Sequence, residues 1–237
     1  MALLLFDIDG TLMRPLGIGR RAFDAAVLAL YGRLPGSEPF PYDGMLDTQI
    51  AAQTLSRLGL DPSEAEVGRL LDAYVNRLPG EVPADPASNL CPGVPGTLER
   101  AMAEGHHLGL LTGNVRQGAF AKLSFVGLTG YFAHGPGAQH LLGAFGEDAA
   151  ERCGLVPVAL ERCSRSFDRD FGRDFVWLVG DSIRDVEAAR LAGVKAVAVA
   201  TGFTPEEALR EARPNLVLKD LSNPGPMFSA LNQEASS

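Results

Sequence analysis

Carboxylates stand where apolar runs stop. Asp7, Ile8, Asp9, Gly10 and Thr11 follow ALLLF (2–6), and Thr112, Gly113 and Asn114 follow HLGLL (107–111). Gly180, Asp181 and Ser182 follow FVWLV (175–179), with Asp185 one helical turn later. If these runs are neighbouring strands of one open sheet, the acids and small polar residues converge on one edge, where such sheets bind ligands. Carboxylates gathered in a cleft repel each other unless their pKa values rise or a cation joins them. A hard divalent ion such as Mg2+ suits an oxygen-only set, and no His or Cys cluster offers a softer site. Phosphoryl transfer uses these parts. A carboxylate can attack phosphorus once charge is neutralised. A second carboxyl can protonate the leaving alcohol and then activate water. N–H groups of glycine-containing turns, here Gly10, Thr11 and Gly113, can hold phosphate oxygens. Asp7, against the apolar strand and the metal, is expected to stay ionised, and Asp9, just beyond, to exchange protons.

The elements that must position these residues are legible as a rhythm. KAVAVA (195–200) and NLVL (215–218) continue the series of branched apolar runs, which lack polar alternation and so read as strands covered on both faces. Helical patterns lie between them: GTLERAMAEG (96–105), VRQGAFAKLSFVG (115–127), SIRDVEAARLAG (182–193) and TPEEALREA (204–212). This alternation predicts an α/β fold, a parallel sheet with helices on both faces. Residues 15–90 break the rhythm with three helical patterns, 20–32, 46–59 and 62–78, and no strand. The expected organisation is a core of residues 1–14 and 91–237 with a helical insert at 15–90. The polar tail from Ser222 onward is expected to be loosely held.

Composition narrows the partners. The 237 residues are 46% hydrophobic and 21% charged, with a net charge of −8, so broad contact with nucleic acid or an anionic membrane is not expected. Cys91, Cys153 and Cys163 are an odd set without metal spacing. With no signal peptide or membrane span, they suggest a cytoplasmic protein. Oligomeric state leaves no signature.

The strand-end motifs, in order, resemble those of the haloacid dehalogenase-like (HAD) hydrolases. DIDGT (7–11) is similar to the first motif, LLTGN (110–114) to the second, and VGDSIRDVEAARLAGV (179–194) to the fourth. The closest resemblance is to phosphoglycolate phosphatase-like members. It implies a Rossmann-like, doubly wound core with a helical cap, acting on a small phosphorylated metabolite with Mg2+. By position, Asp7 would become an aspartyl-phosphate, and Asp9 would be general acid/base and lend its carbonyl to the metal. Thr112 would bind the phosphoryl group beside Asn114, and Asp181 would ligate Mg2+. Asp185 would complete the acidic cluster and orient the base of the third motif. That motif usually supplies a Lys, yet none occurs between 123 and 194. Arg152, 29 residues before Asp181, is the preferred stand-in. Lys122, ten residues after Thr112, is the rival, expected on the surface of its helix.

Other residues have two readings. In PYDGMLDTQI (41–50), Gly44, Asp47, Thr48 and Gln49 either reach the leaving group, or Asp47 or Thr48 caps a helix. Arg14, Arg20 and Arg21 either meet an anionic substrate or lie on an exposed helix. His106 and His107 read as a turn, and HGPGAQH (134–140) as a loop. A phosphosugar mutase would use the same residues. A dehalogenase is disfavoured by Asp9 and Asp181. The missing Lys is the one feature favouring a non-catalytic phosphate-binding module.

Overall fold

The computed structural model describes residues 1–14, 16–36, 42, 44–82, 85–134 and 140–234. Most of HGPGAQH and positions 41 and 43 of PYDGMLDTQI lie outside the described residues. The predicted runs are strands: β1 (Leu3–Phe6), β2 (His107–Leu111), β6 (Val176–Gly180), β7 (Lys195–Val199) and β8 (Leu216–Leu218). A two-residue edge strand, β5 (Gly143–Ala144), completes a sheet of order β5-β2-β1-β6-β7-β8 whose pairings are all parallel. β3 (Ala133–His134) and β4 (His140–Leu141) form a separate antiparallel pair.

The strands lack polar alternation because both faces are covered. Leu4 and Phe6 of β1 pack into one cluster with residues of α4 (Val94–Ala103), α5 (Arg116–Phe125) and α10 (Gly225–Glu234). Leu3 and Leu5 pack into another with α7 (Arg152–Phe167), α8 (Ile183–Ala192) and α9 (Glu206–Glu211). The fold is an α/β Rossmann-like sheet, as the sequence predicts. The chain runs outward from β1 through β2 to β5, then crosses to β6, so strand order reverses at β1, the place where such sheets leave a crevice.

Two expectations need correction. The tail is not loose through Gln233: Met227, Phe228 and Leu231 of α10 are buried in the sheet cluster, an apolar spacing hidden among polar neighbours. His107 is the first residue of β2, its ring 4.3 Å from that of Phe167, while buried His106 precedes the strand and accepts the Ala2 N–H at Nδ1.

Between residues 15 and 90 the described elements are helical: α1 (Ile18–Tyr31), α2 (Asp47–Arg57), α3 (Glu64–Val75) and two 3-10 turns. They share an apolar cluster built from Phe23, Val27, Leu55, Leu70 and Tyr74. The chain leaves and re-enters the sheet layer side by side, with the Arg14 N–H donating to Asn89 O and the Cys91 N–H to Leu12 O. The insert touches the core again at residues 44–49. Leu46 joins the sheet cluster, the Asp47 N–H donates to Gly113 O, and Asp47 Oδ2 accepts from the Val115 N–H. Thr48 Oγ1 donates to Gly146 O and Gln49 Nε2 to Ala150 O. Leu46, not Asp47 or Thr48, is the cap of α2; both polar residues are in its first turn, bonded to the core.

Candidate active site

At the carboxyl end of β1 the Asp7 N–H still donates to Val179 O of β6, so the sheet itself holds Asp7 at its edge. Gly10 follows with φ +82, a conformation that glycine adopts without strain. A Cβ there would lie 2.2 Å from Asp181 Oδ2, so the turn and the acid approach only because the side chain is absent. Thr11 Oγ1 donates to Asp181 Oδ1 across 3.1 Å.

α8 starts with a reciprocal cap: Ser182 Oγ accepts from the Asp185 N–H, and Asp185 Oδ2 accepts from the Ser182 N–H. Ser182 Oγ also donates to Asp185 Oδ2, at 2.7 Å, while Arg152 Nε and Nη2 both donate to Oδ1. Asp185 thus accepts four hydrogen bonds. Its partner Arg152, the first residue of α7, also lies 3.0 Å from Asp7 Oδ2 through Nη2. Asp7, Asp181 and Asp185 each offer a carboxylate oxygen within 4.8 Å of the others, and all three are buried.

Lys122 departs from its surface expectation: its side chain is 5% exposed. Nζ donates to Asp9 Oδ2 and to Asn114 Oδ1, each at 2.6 Å. Asn114 Nδ2 donates to the same Asp9 oxygen and to Thr112 Oγ1, both at 2.8 Å. The two cations weighed for one place therefore occupy two, Arg152 beside Asp7 and Lys122 beside Asp9. The signal for Lys122 was its spacing. Val115, Ala119 and Leu123 are the apolar face of α5 and its entry, and Lys122 falls on that face three residues after Ala119. Thr201, whose hydroxyl donates to Gly10 O, and Tyr74 carried no such signal, since Tyr74 reads as insert core.

Charge follows this layout. Burial pushes the Asp7 carboxyl up to about 6; Arg152 works against the rise, and Asp185 and Asp9 add to it. Burial also favours the neutral form of Asp9, but Lys122 and the hydrogen bonds from Lys122 and Asn114 hold it below the usual carboxylate range. Asp47 is pushed up to about 6 by burial, with Lys122 opposing.

A chamber of about 430 Å³ opens between sheet edge and insert. Asp7, Asp9, Gly44, Asp47, Gly113, Asn114, Lys122, Arg152 and Asp181 reach its wall. Gly10, Thr11, Thr112 and Asp185 are not among its lining residues and support those that are, and Thr48 is turned to Gly146. Arg14 and Arg20 line the chamber, with Arg14 Nε donating to Leu90 O and Arg20 paired with Asp24; Arg21 pairs with Glu81 instead. Phe23, Ile50, Tyr74 and Phe203 add apolar wall.

Paired acids after the first strand, a Thr after the second and a capped acidic turn after a third make a carboxylate site at the edge of a parallel α/β sheet. A HAD-hydrolase-like family model matches residues 148–224. Phosphoglycolate phosphatase of Synechococcus elongatus is 31% identical over 243 residues, covering 98% of each chain. That of Agrobacterium fabrum is 26% identical, covering 93% of this chain and 89% of its own. In fold, a hydrolase from Pseudomonas syringae superposes with a TM-score of 0.71 at 17% identity, covering 97% of this chain and 98% of its own. The chain belongs to the haloacid dehalogenase-like hydrolases, in the phosphoglycolate phosphatase-like branch, and is a HAD-type phosphatase.

Proposed function

We propose that the protein hydrolyses the phosphate monoester of a small metabolite, with Asp7 as nucleophile and Mg2+ as cofactor. The observation that carries this reading is Asp7 on the chamber wall, 3.0 Å from Arg152 and grouped with Asp181 and Asp185. The donor set fits a hard divalent ion: among the described residues the cluster is all carboxylate, and burial, with Asp185 and Asp9 adding to it, raises Asp7 toward neutrality. Asp185 is saturated by its four donors, which leaves Asp7 and Asp181 to hold the ion, with the Asp9 carbonyl as the family pattern suggests. Bound there, the ion would neutralise phosphate charge and keep Asp7 ionised.

The chain's own residues account for the rest. Asp7 attacks phosphorus as the bond to the alcohol oxygen breaks, and Asp9 passes a proton to that oxygen. Water then attacks the aspartyl-phosphate and gives its proton to Asp9; phosphate leaves and Asp7 is restored. Asp9 is ionised at rest beside Lys122, which suits the second transfer; the proton for the first arrives with the monoanionic form of the ester. Thr112 Oγ1 accepts from Asn114 Nδ2 and so holds the Gly113 and Asn114 turn that lines the phosphate's side of the chamber. Gly10 and Thr11 shape the opposite turn. Arg152 balances charge at Asp7 in place of a lysine.

The insert serves as cap over the alcohol portion, with Gly44 and Asp47 at the rim and Thr48 anchoring it. A chamber of about 430 Å³ suits a small metabolite. Among the described residues no helix is long and apolar enough to cross a membrane, and the three free cysteines suit a reducing cytoplasm. The test is phosphate release from a panel of esters, phosphoglycolate included, with and without Mg2+. Turnover that needs the ion and vanishes in Asp7→Asn is expected; full turnover in Asp7→Asn overturns the reading.

A further inference from the structure

A lysine on the buried face of a helix is an expensive way to pack a core, because an ion pair taken out of water contributes little net stability. Lys122 is such a residue, and its ammonium reaches Asp9 and Asn114. Asp9 Oδ2 accepts from both Lys122 and Asn114, while the Asp9 side chain remains 42% exposed at the chamber wall. The insert closes over the other side of the ammonium. A Cβ on Gly19 of α1 would lie 3.3 Å from Lys122 Nζ and 3.4 Å from the Tyr74 hydroxyl of α3, so a bare backbone and a phenol meet around the charge.

We propose that Lys122 is a positioning residue for proton transfer: with Asn114 it clamps Oδ2 of Asp9, so that Oδ1 exchanges the proton, and the Gly19 and Tyr74 wall of the insert seats the clamp. This rests on the reading of Asp9 as acid/base. The proton leaves Oδ1 for the alcohol oxygen as its bond to phosphorus breaks, and a proton from the attacking water returns to Oδ1 in the hydrolytic step. Neither transfer moves a proton to or from Lys122. The clamp fixes direction, since a carboxyl free to rotate presents its proton to the leaving oxygen only part of the time.

The leaving group separates this role from simple packing. An alkyl phosphate releases a basic alkoxide and needs the proton; p-nitrophenyl phosphate releases a stable phenolate and does not. In Lys122→Met, kcat/KM for an alkyl phosphate is expected to fall about 100-fold, within the usual range for acid–base catalysis, and that for p-nitrophenyl phosphate less than about 5-fold. In an Asp9→Asn background Lys122→Met is expected to add no further loss on the alkyl ester. Equal losses on both esters, or a full additional loss in the double variant, overturn the proposal and leave the hydrolase reading intact. A wild-type protein that hydrolyses neither ester overturns both. If circular dichroism shows Lys122→Met unfolded, Lys122→Gln, which removes the ammonium and is too short to reach Asp9 as lysine does, decides by the same ratio: alkyl-selective loss supports the clamp, and parallel loss overturns it.

Discussion

Arg152 spans two acids with one guanidinium: Nε and Nη2 donate to Asp185 Oδ1, and Nη2 also lies 3.0 Å from Asp7 Oδ2. Asp185, fixed by the start of its own helix, thereby sets where positive charge stands beside Asp7. The position of Asp7's counter-charge is decided on α8 and delivered from α7.

Arg152→Gln removes that charge and leaves two buried carboxylates without it. The loss is expected to be about 3–5 kcal/mol of stability, the range for breaking a buried pair, alongside a collapse of kcat. Arg152→Lys keeps the charge but not the fork, and is expected to recover stability more than rate. Urea unfolding and steady-state kinetics on both variants check this.

Asp181 approaches the Gly10 turn closely and takes one hydrogen bond from Thr11. Chelation with EDTA is expected to abolish turnover, and added Mg2+ to restore it. In Asp181→Asn the half-saturating Mg2+ concentration is expected to rise by about 10-fold or more, since the variant loses a charged oxygen ligand. A rate titration with Mg2+ reads this directly.

Asp47 supplies a pH dependence of stability. Its folded-state pKa, about 6, lies above the ordinary value of 3.8, so the folded chain holds the proton that the unfolded chain has released. Stability is therefore greatest below pH 4 as far as this group decides, falls as pH rises through the window from about 4 to 6, and is level above it. Asp47→Asn is expected to remove on the order of 3 kcal/mol of that fall. Denaturation midpoints at pH 3.5 and 7.5 in EDTA, compared between wild type and variant, measure it.

Phe228 is fully buried among sheet and helix residues, and Arg100 lies over its ring. Phe228→Ala is expected to destabilise by about 3–5 kcal/mol. Urea unfolding is the check, and an unchanged midpoint would contradict the packing of α10.

Much of this was legible in the residues. The five apolar runs are the long strands of the sheet because burial on both faces leaves a continuous pattern. The strand-end acids converge because parallel strands point the same way. β5 was not legible: two residues, Gly143 and Ala144, carry no run, and their pairing with β2 decides them. α10 was obscured by its polar neighbours. The charge of Lys122 suggests solvent, whereas its spacing with Ala119 and Leu123 puts it on the inward face. Of the partners that make burial tolerable, Asn114 stands in the turn just before the same helix, but Asp9 comes from the end of β1 and could not be read locally.

The attachment of residues 44–49 has a mechanical consequence. Were the insert tethered only where the chain crosses beside Asn89, it could swing away like a door. Leu46 sunk into the sheet cluster and the bonds of Asp47, Thr48 and Gln49 to the core supply a third mounting point. Wide swinging would have to unseat all of them. Any opening that keeps this mount in place has to be made by α1 and α3, which carry the chamber-wall residues Phe23 and Tyr74.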